Sequence, residues 1–470
     1  MGFLSLKFLI FLPIVLVLYF AARKRGRDDL AKAVLIAASV IFFIPYGAGA
    51  FFMLLASSVV NFFLSKLLEK RKEKALLATS IIINVLPLLY FKYFNFFAEN
   101  AFRIAGREYE PLTILQPVAI SYYTFQMITW CVDTYRGETK ETGALDYFAY
   151  VWFFPRVVLG PITRHDEFIP QLNDKDKALP NAENIAKGFI WFTIGMAKKL
   201  LLAARFAGAM PYGLSLGGDM SLMDGWLCSV AYTFEIYLDF SGYCDMAAGV
   251  SKMFNLSIPM NFNSPYKALS ISDFWKRWHI SLTSFLRKYI YFPLGGNRKG
   301  VLRTYLNMMA IFVISGFWHG ANWTFILWGA LHGFVMIIER LLGKRLEKIP
   351  KIIRLFVTFA LVNFGWILFA SPDISSAWIF IKQMFDFGNI MPSIAFYDTF
   401  KFGTTPFIRY HLNLFIPLLY VVTFICLQCT KNVYEKEYRP NIRMALCIGV
   451  LFVWAFLYSN NVSQFIYSQF

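Results

Sequence analysis

The sequence predicts an all-α, polytopic integral membrane protein. Of its 470 residues, 57% are hydrophobic and only 16% are charged, whereas a soluble domain carries about 25% charged residues. The mean hydropathy is +0.50, and many apolar runs approach or exceed the roughly 20 residues that a helix needs to cross a bilayer. We therefore expect one membrane domain over residues 1–470, with about ten to twelve membrane segments and no soluble domain.

The apolar runs give the predicted helices in order. Membrane segments are expected at about 5–22, 31–46, 48–65, 75–97, 113–133, 184–206, 222–248, 303–319, 321–340, 351–370, 411–429 and 441–459. Residues 148–172 are also apolar, but prolines at positions 155, 161 and 170 interrupt them. A proline removes a backbone donor and kinks or breaks a helix. This stretch therefore predicts a re-entrant or interfacial segment.

Basic loops account for the formal net charge of +17. Arg23, Lys24, Arg25 and Arg27 follow the first apolar run, and a second basic stretch covers residues 66–74. Both loops fall on one side of the membrane, and the positive-inside rule makes that side cytoplasmic. We expect an uncleaved first span, an extracytoplasmic N-terminus, contacts with membrane lipids and no nucleic-acid partner.

Residues 270–289 predict a continuous amphipathic helix at the cytoplasmic membrane interface. Ser270 and Asp273 have the spacing of a capping box. An apolar stripe at helical spacing follows: Phe274, Trp278, Leu282, Phe285 and Tyr289. Basic side chains such as Arg277 fall roughly opposite the stripe. A positive-inside loop explains most of this charge, which would also attract a phosphate-rich donor such as coenzyme A.

Three of the five histidines lie within residues 274–332: His279, His319 and His332. A histidine in an apolar membrane segment is costly and is a functional-site hypothesis. His319 ends a predicted helix, and burial without an acidic partner would keep its imidazole neutral and able to accept a proton. A core histidine bonded to a backbone carbonyl is an equally good interpretation. His279 falls between the two faces of its helix, and His332 is more typical of a structural residue.

Glu235 and Asp239 lie four residues apart, and therefore on one helix face. Carboxylates at membrane depth must face the protein interior and find a partner. A structural ion pair is the favoured interpretation, and the wall of a polar tunnel is the alternative. The six cysteines lie in or beside apolar runs and look inert, and we expect neither a covalent serine nor a covalent cysteine enzyme. We expect no metal, no disulfide and no permanently bound cofactor.

Four long motifs follow one another within residues 150–335: FFPRVVLGPITRHDEFIPQL, YLDFSGYCDMAAG, NFNSPYKALSISDFWKRWHISLTSFLRKYIYFPLGGNRKG and GFWHGANWTFILWGALHG. In this order they resemble the motifs of the membrane-bound O-acyltransferase (MBOAT) family, particularly its bacterial branch of alginate and related polysaccharide O-acetyltransferases. The resemblance implies a catalytic core within residues 150–335. It also implies about eleven transmembrane helices, re-entrant segments and a tunnel through the membrane.

The resemblance also implies roles for individual residues. His319, in FWHG, would be the base that activates the incoming hydroxyl, and His279, in WKRWH, would orient the donor or assist proton movement. Further residues are expected at the substrate site or along the tunnel: Trp318, Asn322, His332, Asp239 and Arg277.

The activity implied is acetyl transfer from a cytoplasmic thioester, acetyl-coenzyme A, for O-acetylation of an envelope polysaccharide such as alginate. The protein would lie in a bacterial cytoplasmic (inner) membrane and hand the acetyl group to a separate extracytoplasmic acetyltransferase partner. Two alternatives stay open: D-alanyl transfer from a carrier protein toward teichoic acid, and a transporter of an activated envelope precursor. A transporter predicts internal repeats, and none is apparent in the sequence.

Overall fold

The computed structural model describes residues 1–139, 142–400, 412–438 and 441–459, and these residues form helices and loops without a β-strand. The all-α prediction is confirmed. The chain divides into two compact units. Unit 1 holds the described residues within Met1–Ile194, Tyr243–Pro259 and Pro440–Val450, and unit 2 those within Gly195–Gly242, Met260–Arg439 and Leu451–Phe470. That both belong to one membrane domain stays a prediction.

The first half of the chain contains eleven helices among its described residues. They are α1 (Leu6–Lys24), α2 (Asp28–Phe43), α3 (Ala48–Lys70), α4 (Lys74–Leu88), α5 (Phe94–Ile104), α6 (Ile120–Arg136), α7 (Ala144–Trp152), α8 (His165–Leu172), α9 (Ala182–Ala197), α10 (Ala204–Phe206) and α11 (Ala209–Leu216). π-Helical turns at Leu89–Tyr93 and Lys198–Ala203 join α4 to α5 and α9 to α10.

The second half begins with a long helix and ends with two apolar ones. Its described helices are α12 (Leu222–Met253), α13 (Ile271–Arg277), α14 (Ile280–Leu286), α15 (Val301–His319), α16 (Trp323–Leu342), α17 (Lys351–Ala370), α18 (Ile374–Gln383), α19 (Ile394–Asp398), α20 (Leu412–Cys429) and α21 (Ile442–Leu457). His411, which would begin the span predicted at 411–429, lies outside the described residues.

Seven helical segments of the described chain are long and apolar enough to cross a membrane: Leu6–Lys24, Asp28–Tyr46, Ala48–Lys70, Lys74–Ile104, Val301–His319, Trp323–Lys348 and Lys351–Ala370. Two shorter apolar helices, Leu414–Cys429 and Ile442–Leu457, accompany them. The predicted spans at 5–22, 31–46, 48–65, 75–97, 303–319, 321–340 and 351–370 coincide with the seven long segments. The protein is therefore a multi-pass membrane protein, as predicted.

The interrupted segment within unit 1 is confirmed. Helix α7 ends at Trp152, α8 begins at His165, and residues 153–164 between them form no α-helix. Residues 153–163 are nonetheless buried, which is tolerated at membrane depth only where protein or a cavity surrounds the backbone. Arg156 supports this segment, because its guanidinium donates to the carbonyl oxygen of Tyr150 and lies 4.7 Å from that ring.

Two predicted helices were wrong in their extent. The span expected at 113–133 is α6, which begins only at Ile120, because Pro117 disfavours helical backbone in the residue before it. The continuous amphipathic helix expected over 270–289 is broken after Arg277, and the chain resumes as α14 at Ile280. Its apolar stripe does not face the membrane interface, since Phe274, Trp278, Leu282 and Phe285 are buried inside unit 2.

Helices α15 and α16 approach each other closely at two glycines of unit 2. A Cβ atom at Gly316 would lie 2.1 Å from the carbonyl oxygen of Phe325, and one at Gly329 would lie 2.1 Å from that of Phe312. Small residues allow helix backbones in membranes to pack at such short range. The hairpin fixes the end of α15, where His319 lies.

Candidate active site

His319 is placed by the sharp end of helix α15. The next residue, Gly320, has extended backbone and ends the helix. Asn322 then caps α16, because its side chain accepts a hydrogen bond from the Thr324 amide at 3.1 Å. The Asn322 amide group also donates to the carbonyl oxygen of Pro372 at 2.6 Å. His319 is 2% exposed, so the helix end presents a buried imidazole.

His279 lies in the break between α13 and α14. Its backbone is left-handed, with φ 44° and ψ 53°, a conformation that costs a residue with a Cβ atom about 1–2 kcal/mol. The side chain is fully buried. Its Nδ1 lies 3.2 Å from Oδ1 of Asn261, and its Nε2 is buried without a hydrogen-bond partner among the described residues. The break thus aims one imidazole nitrogen at Asn261 and leaves the other available.

The two histidines, distant in the sequence, meet inside unit 2. Their ring centroids are 6.4 Å apart, and the Trp318 ring lies 6.2 Å from that of His279 and 4.8 Å from that of His319. The two imidazoles are therefore neighbours, and one tryptophan ring lies beside both of them. We call this pair, with Trp318, the histidine centre.

Aromatic rings surround the histidine centre. The ring of Phe240, on α12, lies 5.1 Å from that of His279, while Trp328 and Phe369 each lie 5.3 Å from the ring of His319. This wall excludes water, and burial lowers the pKa of His279 to about 3. The His279 imidazole is therefore neutral at physiological pH, which is the form that accepts a proton.

His332 lies on α16, one aromatic layer away from the histidine centre. Its Nδ1 accepts a hydrogen bond from Nε1 of Trp275 at 3.3 Å. The Trp328 ring lies between His332 and His319, 5.1 Å from the ring of His332 and 5.3 Å from that of His319. The predicted tunnel role of His332 stays a prediction.

Three charged or polar residues that were expected at the site have structural partners within unit 2. Asp239 forms a buried ion pair with Lys199. Arg277 pairs with Asp273, with 2.9 Å between Nε and Oδ1, and donates to the carbonyl oxygen of Asn263 at 3.2 Å. Asn322 caps a helix, as described above. These contacts give all three residues a structural function, and their contribution to a tunnel stays a prediction.

The most important residue that the sequence did not single out is Asn261. It belongs to the stretch NFNSP, whose composition predicts only a loop. In the structure its backbone carbonyl accepts the Ile280 amide at 3.0 Å, and its side-chain oxygen contacts His279. It is the first residue of the long motif that contains His279, and this is the only signal that the sequence offers.

The described residues contain no group of three or more His, Cys, Asp or Glu side chains that could hold a metal ion. What they do contain is a pair of buried histidines inside an all-helical, multi-pass membrane protein. A histidine buried in a membrane protein marks a candidate functional site, so the fold and the site together define the class as a multi-pass membrane protein with a buried pair of histidines.

The profile of the membrane-bound O-acyltransferase family matches residues 134–372, which include both histidines. The chain also resembles a peptidoglycan O-acetyltransferase of Helicobacter pylori, with 34% identity covering 98% of this chain and 95% of that protein. On both grounds the chain belongs to the membrane-bound O-acyltransferase family, and it is an acyltransferase enzyme. The family resemblance expected from the motifs is thereby confirmed.

Other relatives extend the comparison. A probable alginate O-acetylase, AlgI, of Azotobacter vinelandii is 37% identical, with 81% of this chain and 77% of that protein covered. A teichoic acid D-alanyltransferase of Bacillus subtilis is 26% identical, with 64% of this chain and 79% of that protein covered. The chain therefore aligns with most of the length of proteins that are named for two different acyl groups.

Proposed function

We propose that the protein transfers an acetyl group from acetyl-coenzyme A for the O-acetylation of a cell-envelope polysaccharide, in a bacterial cytoplasmic membrane. The observation that carries the proposal is the histidine centre, in which two buried imidazoles lie 6.4 Å apart. The names of relatives that are 34% and 37% identical to this chain support an acetyl group and a polysaccharide acceptor. Membership of an acyltransferase family also argues against the transporter alternative.

In the proposed reaction, His319 takes the proton of the incoming hydroxyl while the hydroxyl oxygen attacks the thioester carbonyl. The new C–O bond forms, the C–S bond breaks, and the proton passes to the departing thiolate. His279 assists this proton movement from the other side of the reacting group. General base catalysis by a positioned histidine contributes about 10²–10⁴-fold, and the aromatic wall strengthens each polar contact by excluding water.

The donor assignment is supported by charge outside the spanning helices. Arg298 and Lys299 lie in the turns between α14 and α15, where both residues are exposed. Their charges would attract the phosphates of coenzyme A. The positive-inside rule assigns such basic loops to the cytoplasm, which matches a cytoplasmic thioester and an extracytoplasmic N-terminus.

The acceptor is proposed as a sugar hydroxyl of the envelope, with alginate-like polymers and peptidoglycan as the two candidates. A separate extracytoplasmic acetyltransferase is proposed to complete the transfer to the polymer. Deleting the protein should remove O-acetyl groups from one of the two polymers, which ester release and mass spectrometry of each isolated polymer would identify. Unchanged acetylation of both polymers would contradict the proposed acceptor class.

D-alanyl transfer toward teichoic acid is the second candidate, and it is favoured by the 26% identity to a teichoic acid D-alanyltransferase. Its donor would be a thioester on a carrier protein. The two candidates differ in the thioester that the purified protein consumes.

The decisive test uses purified protein in nanodiscs with radiolabelled acetyl-coenzyme A and, in parallel, a D-alanyl carrier protein. We expect loss of the acetyl thioester by the native chain, and about 10²–10⁴-fold slower loss by His319→Gln, which approximates the volume of the side chain. Size-exclusion profiles and thermal unfolding establish that the variant is folded. Consumption of the D-alanyl thioester alone, with a candidate external partner present in both reactions, would overturn the acetyl assignment.

A further inference from the structure

We infer that Asn261 is a positioning residue, which holds the neutral His279 imidazole as its Nδ1–H tautomer and so leaves Nε2 of His279 able to accept a proton beside the base His319. This inference rests on the proposed function, because it assigns a proton-accepting atom for the same reaction. It adds a residue outside the pair of histidines on which the proposed reaction depends.

The first step is to establish which Asn261 atom faces His279. The same Oδ1 atom lies 3.2 Å from the backbone nitrogen of Ser281 and 2.9 Å from its hydroxyl oxygen. A backbone N–H can only donate. The atom that it contacts must therefore be the carbonyl oxygen of the Asn261 amide, not the NH₂ group, which resolves the usual ambiguity of amide orientation.

The second step follows for the imidazole. Oδ1 of Asn261 can only accept, and His279 Nδ1 lies 3.2 Å from it. A favourable contact therefore requires a proton on Nδ1, and in the neutral ring this leaves Nε2 with a lone pair. Nε2 is buried and has no hydrogen-bond partner among the described residues. The nitrogen that points away from Asn261 is thus an acceptor without a donor.

The third step concerns how firmly the tautomer is held. The Asn261 backbone carbonyl accepts the Ile280 amide at 3.0 Å, so Asn261 contacts His279 and both residues that follow this left-handed position. The Asn261 residue itself is 1% exposed. Partners that fix the tautomer of metal-bound histidines contribute about 10–100-fold to affinity or activity, and we expect the same range for Asn261. Among the contacts shown by the described residues, the titratable side chain beside His279 is His319, at 6.4 Å between ring centroids.

During the reaction, the hydroxyl O–H bond breaks as His319 takes the proton, this proton then passes from His319 to Nε2 of His279, and the hydroxyl oxygen bonds to the carbonyl carbon. The C–S bond then breaks, and the imidazolium returns this proton to the thiolate sulfur. His279 ends neutral, with its proton again on Nδ1, and no oxidant or other reactant is consumed. His319 and His279 then act as alternative positions for a single proton within the histidine centre.

The primary experiment reads the tautomer without enzyme turnover. The chain has only five histidines, so ¹⁵N-histidine labelling in nanodiscs gives few imidazole signals, and His279→Gln identifies those of His279. We expect a protonated Nδ1 and an unprotonated Nε2 in the native chain, and loss of this preference in Asn261→Ala. A native His279 protonated on Nε2 overturns the inference, even if the acetyl donor proves wrong.

Activity provides the second readout. Asn261→Asp keeps an acceptor at Oδ1 and adds a negative charge, which raises the pKa of His279. The acid limb of the pH dependence of kcat/KM should therefore move to higher pH, whereas Asn261→Ala should lose about 10–100-fold. Asn263→Asp is the matched control, since it places the same charge two residues away in a loop where, among the described residues, the hydrogen bonds of Asn263 involve its backbone. Equal pH shifts in both Asp variants, or no shift in either, would contradict the inference.

Discussion

Gly316→Ala tests whether the close approach of α15 and α16 sets the position of His319. The new Cβ atom would lie 2.1 Å from the carbonyl oxygen of Phe325. Real Cβ atoms essentially never approach a neighbour closer than 3.0 Å, so the two helices must separate by about 0.9 Å (3.0 − 2.1 Å). The nearest atoms belong to the backbone of α16, so the clash cannot be relieved by moving a side chain. The substitution therefore displaces the helix end that carries His319.

The expected loss follows from this displacement. A misplacement of about 1 Å can cost 10²-fold in rate, and overpacking costs about 1–3 kcal/mol of stability. We expect kcat/KM for acetyl-coenzyme A consumption to fall about 10²-fold, together with a lower unfolding temperature. The assay uses nanodisc-embedded protein, with activity normalised to the fraction that elutes as folded protein.

Gly49→Ala is the matched control, because a Cβ atom at this position in α3 meets no heavy atom within 4 Å. Alanine is also the better helix former by about 0.8–1.0 kcal/mol, so this control should keep its activity and its unfolding temperature should not fall. Gly316→Ala with native kcat/KM and a native unfolding temperature would refute the argument from close approach.

Three further predictions follow from other contacts. The Glu339 carboxylate accepts hydrogen bonds from the Ile271 and Ser272 amides at the start of α13. Glu339→Gln should therefore lower the unfolding temperature, because a charge-assisted hydrogen bond of about 1.5–3 kcal/mol is lost. An unchanged unfolding temperature would contradict this capping contact. Lys199→Met should destabilise by about 3–5 kcal/mol by removing the cationic partner of buried Asp239, and adding Asp239→Leu should restore stability. Asp133→Asn should destabilise unit 1 in thermal unfolding, because the Asp133 carboxylate lies 3.2 Å from the His165 imidazole; native stability would contradict a supporting contact.

The position of His319 could be predicted because local signals decide it. An apolar run ends there, and Gly-Ala-Asn follows. Glycine favours a helix end, and asparagine favours the cap of the next helix. The structure confirms the boundary, with α15 ending at His319 and Asn322 capping α16. Small and polar residues at the ends of helices therefore carry this information in the sequence itself.

The break at His279 could not be predicted for the opposite reason. Trp278 and His279 contain no helix-breaking signal, and the apolar stripe continues through them at helical spacing. The break is supported by contacts with Asn261, whose backbone and side chain bind the two residues that follow His279. Tertiary contacts override local propensity in this way, and their partners are separated too far in the sequence for periodicity to detect them. The sequence favoured a structural ion pair for Asp239, but its partner, Lys199, could not be identified for the same reason.

His279 contradicts several local rules at once, and this combination argues for function. The left-handed backbone costs about 1–2 kcal/mol, and a buried nitrogen without a partner costs about 1–3 kcal/mol. Burial also holds the ring in its neutral form. A position selected for stability alone would favour glycine for the backbone or an apolar side chain for the interior. Strain that the surrounding structure holds in place is typical of functional sites, and here the strained residue carries a buried nitrogen without a hydrogen-bond partner among the described residues, on a ring that lies 6.4 Å from that of His319.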